Sequence, residues 1–294
     1  MNAGFEIEAG TLIRYLGQEQ TVNIPQGVIT IGDSSFYGCN TVEKITLSDG
    51  VKTIGRSAFA ECTNLREIIF PLGLEVISDA AFEHCPMLEK IELPDSVQYI
   101  GRSAFAKCNS LREAHLPKGL NVISHGMFMG DVSLSHLVLP ANLTCIEDFA
   151  FYYCKSLEEM ELPNLTVDVR PHTLYGCSGI KRGYISGINL TRYGPDECLL
   201  FALLYLSSKE RYSYWEAQLY EIFIKEYKKK MCEKILDAKS YEALAGFMQM
   251  EILSEADMDE WIERARKAGD IEFTARLLQY KRELFSEAGD MWEI

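Results

Sequence analysis

The sequence predicts an α+β protein, in which a solenoid of short parallel strands is followed by an all-α helical domain. Phenylalanine, cysteine and proline recur in phase every 23 residues through more than half of the chain. A fixed period of this length is the signature of a solenoid. Beyond residue 185 the period is lost, and apolar residues recur at helical spacing. The in-phase residues are Phe36, Phe59, Phe82, Phe105, Phe128 and Phe151; Cys39, Cys62, Cys85, Cys108, Cys154 and Cys177; and Pro25, Pro71, Pro94, Pro117, Pro140 and Pro163.

The chain divides into three segments. Residues 1–23 alternate loosely between apolar and polar residues, with glycine turns, and this pattern predicts a capping hairpin. Such a cap covers the open edge and the apolar face of the first coil of a solenoid. Residues 24–185 contain about seven repeats, and residues 186–294 are expected to form a helical domain.

Each repeat follows the template V-x-x-I-G-x-x-A-F-x-x-C-x-x-L-x-x-I-x-L-P, which starts at Val51 in one copy. Leu65 and Ile68 have the spacing of a short strand with inward side chains, and the following proline ends that strand because it has no N–H group. We expect Gly55 at a tight turn and Phe59 in the centre of the coil. Stacked coils would then share one continuous core.

The nine cysteines invite a disulfide or metal interpretation, but six of them fall at one repeat phase. Stacked strands place equivalent Cβ atoms about 4.8 Å apart and parallel, whereas disulfides need them about 3.8 Å apart and converging. We therefore expect buried free thiols that pack as small apolar groups. In the fifth copy Asp131 replaces the cysteine. A buried aspartate needs hydrogen-bond partners, so we expect it to accept from backbone N–H groups.

The repeat resembles the BspA-like leucine-rich repeat family, whose units carry the same I-G-x-x-A-F-x-x-C-x-x-L-x-x-I-x-L-P signature over about 23 residues. The resemblance covers residues 24–185. It implies a curved leucine-rich repeat solenoid and a role in protein recognition, often at bacterial or protozoan cell surfaces. It implies no catalytic residues.

The helical segment follows a cluster of helix breakers that includes Gly187 and Gly194. The pattern predicts about five helices joined by short turns, so antiparallel neighbours are expected. Ser254 begins a capping-box pattern. Gly269 is expected to end that helix, and Asp270 to cap the last one.

Charge and hydropathy exclude several functions. The formal net charge of −14 argues against binding to nucleic acid or anionic membranes, both of which require Lys and Arg. No apolar run reaches the ~18 residues that span a bilayer. The N-terminus lacks the pattern of a signal peptide. The expected location is cytoplasmic if the chain is complete, and the alternative is the cell surface or secretion.

No catalytic motif is present, so neither an enzyme nor a cofactor is predicted. Register would place Glu113, His115 and His136 on one surface, where they could bind a transition metal. We favour exposed polar residues over ligands there and predict no metal site.

The leading hypothesis is a non-enzymatic scaffold that binds a protein partner through its outward strand surface. The alternatives are a bacterial surface adhesin that binds host or matrix proteins and, third, a metal-binding protein or enzyme. A mixed, partly apolar strand surface suits protein recognition. The candidate residues form two columns, namely Lys44, Glu67, Lys90, Glu113, His136 and Glu159, and beside them Thr46, Ile69, Glu92, His115, Val138 and Glu161.

Overall fold

The structure is a computed structural model that describes residues 4–163, 167–180, 182–184, 195–207, 210, 214–250 and 252–285. The chain forms two compact units. Unit 1 contains Met1–Ile180 and Gly187–Glu197, and unit 2 contains Lys181–Ser186 and Cys198–Ile294. The predicted breakers Gly187 and Gly194, and the predicted boundary between residues 185 and 186, lie outside the described residues.

Unit 1 begins with β1 (Phe5–Glu8) and β2 (Thr11–Tyr15), followed by two series of short strands that alternate along the chain. Ladder one contains β4 (Thr30–Ile31), β6 (Thr53–Ile54), β8 (Val76–Ile77), β10 (Tyr99–Ile100), β12 (Val122–Ile123), β14 (Cys145–Ile146) and β16 (Asp168–Val169). Ladder two contains β3 (Thr21–Asn23), β5 (Lys44–Thr46), β7 (Glu67–Ile69), β9 (Lys90–Glu92), β11 (Glu113–His115), β13 (His136–Leu137) and β15 (Glu159–Glu161). One further strand, β17 (Arg182–Tyr184), belongs to unit 2.

Where neighbouring strands of a ladder pair, they pair in parallel, at the register that the 23-residue period predicts. In ladder one Thr30 lies beside Thr53, and in ladder two Ile45 lies beside Ile68. The predicted hairpin is also present, because β1 and β2 pair antiparallel. Parallel pairing already starts at β2 and β3, which contact β4 and β5.

One phenylalanine per coil fills the centre of the solenoid. The six rings from Phe36 to Phe151 are fully buried, and neighbouring ring centroids are 5.0–5.9 Å apart. The backbone beside each ring is also tied to the next coil, as where Phe59 N donates to Ala81 O at 2.8 Å. The predicted apolar core is confirmed.

Glycine is required at the turn because the backbone of the preceding coil lies too close to leave room for a Cβ atom. A Cβ atom on Gly101 would lie 2.4 Å from the backbone nitrogen of Asp79, a distance that real Cβ atoms do not show. The residues with positive φ stand elsewhere in the coil, and they include Ser57 (φ 50), Ala80 (φ 54) and Phe149 (φ 60). Positive φ is unfavourable for residues other than glycine, so these coils store some backbone strain at this position, whereas Gly126 (φ 62) occupies it in another coil without that strain.

Unit 2 is helical, as predicted, but the described residues form six helices where the sequence predicts about five. They are α1 (Pro195–Ser207), α2 (Tyr214–Glu226), α3 (Lys228–Ala238), α4 (Tyr241–Met248), α5 (Glu255–Lys267) and α6 (Ile271–Phe285). The additional break is at Tyr227, whose backbone leaves the helical region at φ −107 and ψ 24. No glycine or proline marks this break in the sequence.

The helix ends of unit 2 confirm the predicted caps. Ser254 and Asp257 form the capping box of α5, and Asp270 accepts a hydrogen bond from Phe273 N at 3.0 Å. Lys228 Nζ also contacts Asp257 at 2.9 Å. Hydrogen bonds from Lys228 and Ser254 lower the pKa of Asp257 to about 2. Among the described residues, no helix is long and apolar enough to cross a membrane.

The in-phase thiols of unit 1 have a specific role. Five of them donate Sγ–H to the carbonyl oxygen of the phenylalanine 26 residues earlier, at 2.9–3.3 Å. Burial raises the pKa of the Cys85 thiol to about 12, so it remains protonated and able to donate. None of the nine cysteines, all of which lie in the described part of the chain, forms a disulfide, and seven are buried. The cysteine therefore links two coils by a hydrogen bond as well as by packing.

Asp131 occupies the position of the missing thiol and is fully buried. Its Oδ1 accepts from Cys108 N at 2.7 Å, so the predicted bond to a backbone N–H is confirmed. Its Oδ2 has no partner within the described residues. Burial raises the pKa of Asp131 well above its ordinary value, so the folded chain favours the neutral carboxyl.

We expect Asp131→Asn to be more stable than the wild type at pH 7, by about 1–3 kcal/mol. The unfolded carboxyl ionises near pH 3.9. Since the folded pKa is raised, the contribution of Asp131 to stability is fully present below that pH and is lost as the pH rises towards the folded pKa. The gain should therefore shrink as the pH falls to ~4, as measured by urea unfolding between pH 4 and 8.

The matched control is Asp131→Ala, which leaves Cys108 N–H without its acceptor. It should be about 1–3 kcal/mol less stable than Asp131→Asn at every pH. A stability gain for Asp131→Asn that stays constant from pH 4 to pH 8 would contradict this account.

In the native protein, a chromogenic disulfide reagent should react rapidly with at most two thiols, those of Cys39 and Cys145. These two are half-buried, and the other seven are buried. In denaturant all nine should react, because the thiolate forms readily once the thiol is solvated. Replacing Cys39 and Cys145 by serine should abolish the rapid phase. A third rapidly reacting thiol in the folded wild type would show that the core is open to solvent.

Candidate functional site

The outward residues of ladder two form the strand face, which contains the partner-binding residues predicted from the sequence. Neighbouring strands place these residues side by side, at the predicted register. The adjacent pairs are Lys44 and Glu67, Thr46 and Ile69, Lys90 and Glu113, Glu92 and His115, and Glu113 and His136. Glu159 and Glu161 lie on β15, which is not paired with β13.

Ion pairs hold the charged side chains of the strand face. Lys44 Nζ lies 2.8 Å from Glu67 Oε2, and Lys90 Nζ lies 2.7 Å from Glu92 and 3.2 Å from Glu113. The hydrogen bonds that Lys90 donates to Glu92 and to Glu113 raise the pKa of Lys90, and the bond to Glu92 lowers the pKa of that carboxyl. Exposed pairs of this kind add little stability, so their main effect is to orient the charges.

The strand face is divided between β7 and β9, which belong to different sheets. On one side of the division Arg66 N donates to Glu43 O at 2.8 Å, and on the other Arg112 N donates to Glu89 O at 2.9 Å. The equivalent bond from Glu89 N to Arg66 O does not form in this fully described part of the chain. Main-chain pairing along this column, which the sequence predicts to be continuous, is therefore interrupted between β7 and β9.

A cleft of about 410 Å³ lies at this division. Its lining includes Ile69 and Phe70, with Glu67, Lys90 and Glu92. Phe70 stands where other coils have leucine, and its ring packs edge-on against Phe82, with the centroids 5.9 Å apart. Sequence reasoning missed Phe70 as a site residue, although this substitution in the repeat was a visible signal.

Two apolar side chains of the strand face are exposed, Ile69 in the cleft and Val138 beyond it. Ile69 is 42% exposed and Val138 is 82% exposed. Exposed aliphatic residues among oriented charges give a surface that combines apolar contact area with hydrogen-bonding groups. The chemistry that this surface supports is non-covalent recognition.

The possible metal ligands are not gathered into a site. His115 Nε2 lies 3.4 Å from Glu113 Oε1, and His136 Nδ1 lies 2.8 Å from the hydroxyl of Ser135. Across the described residues, no group of three or more His, Cys, Asp or Glu side chains is arranged to hold a metal ion.

The BspA type leucine-rich repeat region matches residues 15–131 and 121–196 of this chain, with six copies. No curated protein matches it. A crystal structure of a leucine-rich repeat protein from T. pallidum is similar with a TM-score of 0.54 and 31% identity, over 58% of this chain and 82% of that one. This likeness supports the solenoid architecture.

Two further crystal structures are similar at lower scores. A leucine-rich repeat protein from Bacteroides ovatus has a TM-score of 0.40 and 25% identity, over 62% of this chain and 67% of that one. A leucine rich cell surface protein from Faecalibacterium prausnitzii has a TM-score of 0.32 and 17% identity, over 65% of this chain and 95% of that one.

Proposed function

Because the chain belongs to the family of BspA type leucine-rich repeat regions, we propose that it is a non-enzymatic scaffold that binds a protein partner through its strand face. Leucine-rich repeat proteins are typically binding modules without enzymatic activity. The residues proposed to contact the partner are Lys44, Thr46, Glu67, Ile69, Lys90, Glu92, Glu113, His115, His136, Val138, Glu159 and Glu161.

The observation that supports this proposal best is the cleft between β7 and β9. It combines an apolar wall, Ile69 and Phe70, with charged residues that ion pairs hold in place. Protein interfaces have this composition, with a few apolar anchors that enter pockets and polar groups around them. A single apolar side chain of the partner would enter this cleft.

A second contact would follow along β11 and β13. Val138 offers exposed apolar area there, and His115 and His136 lie beside Glu113. Because the core positions of each coil are fixed by packing, the outward positions can vary without loss of the fold. Variation at those positions would set the identity of the partner.

We expect one four-residue variant, Ile69→Asp, Glu92→Lys, His115→Glu and Val138→Asp, to recover at least about tenfold less partner than the wild type. Loss of a buried interface anchor costs 2 kcal/mol or more. Partners would be captured from the native organism with the full chain, identified by mass spectrometry and then measured with purified components.

The control changes two exposed apolar residues outside the strand face, with Leu72→Asp and Ile29→Asp. These side chains are 88% and 53% exposed. This variant should bind the partner as the wild type does. If the four-residue variant keeps its affinity for the purified partner, the strand face is not the binding surface.

A further inference from the structure

Strand pairing in ladder one is also interrupted, between a different pair of coils from those in ladder two. β10 ends one sheet and β12 begins another. Gly101 N donates to Ile77 O at 2.8 Å on one side of the break, and Glu147 N donates to Ile123 O at 2.9 Å on the other. Between them Ser124 N makes no bond to Ile100 O, and the hydroxyl of Ser124 donates to that oxygen instead, at 2.5 Å.

The same break loses a second main-chain bond. Thr144 N donates to Asn121 O at 2.8 Å in the following coil, but in this fully described region Asn121 N has no bond to Gln98 O. The central rings Phe105 and Phe128 are 5.9 Å apart, compared with 5.3 Å for the preceding pair and 5.8 Å for the following pair. The loss of main-chain bonds is confined to this wall of the solenoid, because Phe105 N still donates to Met127 O at 3.0 Å.

A cleft of about 540 Å³ occupies the break. This volume lies in the range of small-molecule sites, which combine apolar walls with a few placed polar groups. Tyr99 and Val122 supply apolar surface, and Gln98 and Asn121 supply amide groups. The cleft thus has the size and the composition of a ligand site.

Arg102 and Glu147 place opposite charges in this cleft. They are two coils apart, which corresponds to about 10 Å along the solenoid. Glu147 Oε2 accepts from His125 N at 2.8 Å, which fixes its carboxylate. Arg102 has no ion-pair partner within the described part of the chain. Its planar guanidinium can bind a carboxylate through two hydrogen bonds.

We propose that this cleft binds a small zwitterion, an α-amino acid or a short peptide with free termini. The carboxylate of the ligand pairs with Arg102, its ammonium group pairs with Glu147, and an apolar side chain lies against Tyr99. A simple anion would face the Glu147 carboxylate and a simple cation would face Arg102, so only a ligand with both charges satisfies both residues. The site lies on ladder one and does not depend on the function proposed for the strand face.

The test is isothermal titration of the full chain with leucine and with alanyl-leucine, which separate the free amino acid from the peptide. The controls are N-acetyl-leucine, which lacks the ammonium group, and leucinamide, which lacks the carboxylate. Since a hydrogen-bonded charged pair contributes about 1.5–3 kcal/mol, each control should bind at least about tenfold more weakly than the zwitterion.

Three variants locate the site. Arg102→Gln and Glu147→Gln should each weaken zwitterion binding at least about tenfold. Arg56→Gln should leave it unchanged, because Arg56 has the same phase in an unbroken part of ladder one. Both arginines donate their backbone N–H to an aspartate of the preceding coil, at 2.7 Å from Arg56 to Asp33 and 2.8 Å from Arg102 to Asp79.

Three results would overturn the proposal. The first is no heat of binding for either zwitterion at millimolar concentration. The second is equal affinity for the singly charged controls, which the wild type alone can reveal even if a variant fails to fold. The third is equal weakening by Arg56→Gln and Arg102→Gln.

Discussion

The stack of one phenylalanine per coil is the constraint on which the solenoid depends. Each ring from Phe59 to Phe128 contacts the rings of the coils before and after it, at 5.0–5.9 Å between centroids. A coil that moved its ring would lose both contacts, so every coil must repeat the same path. The small Ala58 position and the thiol bonded to a phenylalanine carbonyl keep that path fixed. The 23-residue period of the sequence follows from this requirement.

This dependence explains what the sequence could predict. The period assigns Ile45 and Ile68 to the core and Lys44 and Glu67 to the surface, and the parallel register follows directly. The caps of unit 2 were equally visible, because Ser254 and Asp270 act on backbone groups only three residues away. Local and periodic features can therefore be predicted from the sequence.

The remaining features depend on distances between coils or on single backbone angles. The two clefts arise where main-chain bonds are lost, and in one of them the hydroxyl of Ser124 replaces an N–H donor. Ser78 has the same phase and keeps its main-chain bond to Ile54 O, so residue type alone does not predict the break. Positive φ at Ala80 and the helix break at Tyr227 are likewise unmarked by glycine or proline.

Two of the three ladder breaks, those between β7 and β9 and between β10 and β12, bound a single coil, the one that carries β9 and β10. β10 pairs with the preceding β8 but not with β12, whereas β9 pairs with the following β11 but not with β7. By strand pairing this coil is thus joined to each neighbour through a different wall, while bonds beside the phenylalanines, such as Phe82 N to Ala104 O and Phe105 N to Met127 O, continue on both sides. In a linear array each unit is held only by its neighbours, so incomplete pairing lowers the cost of local opening. Local opening of the solenoid is therefore expected to involve this coil.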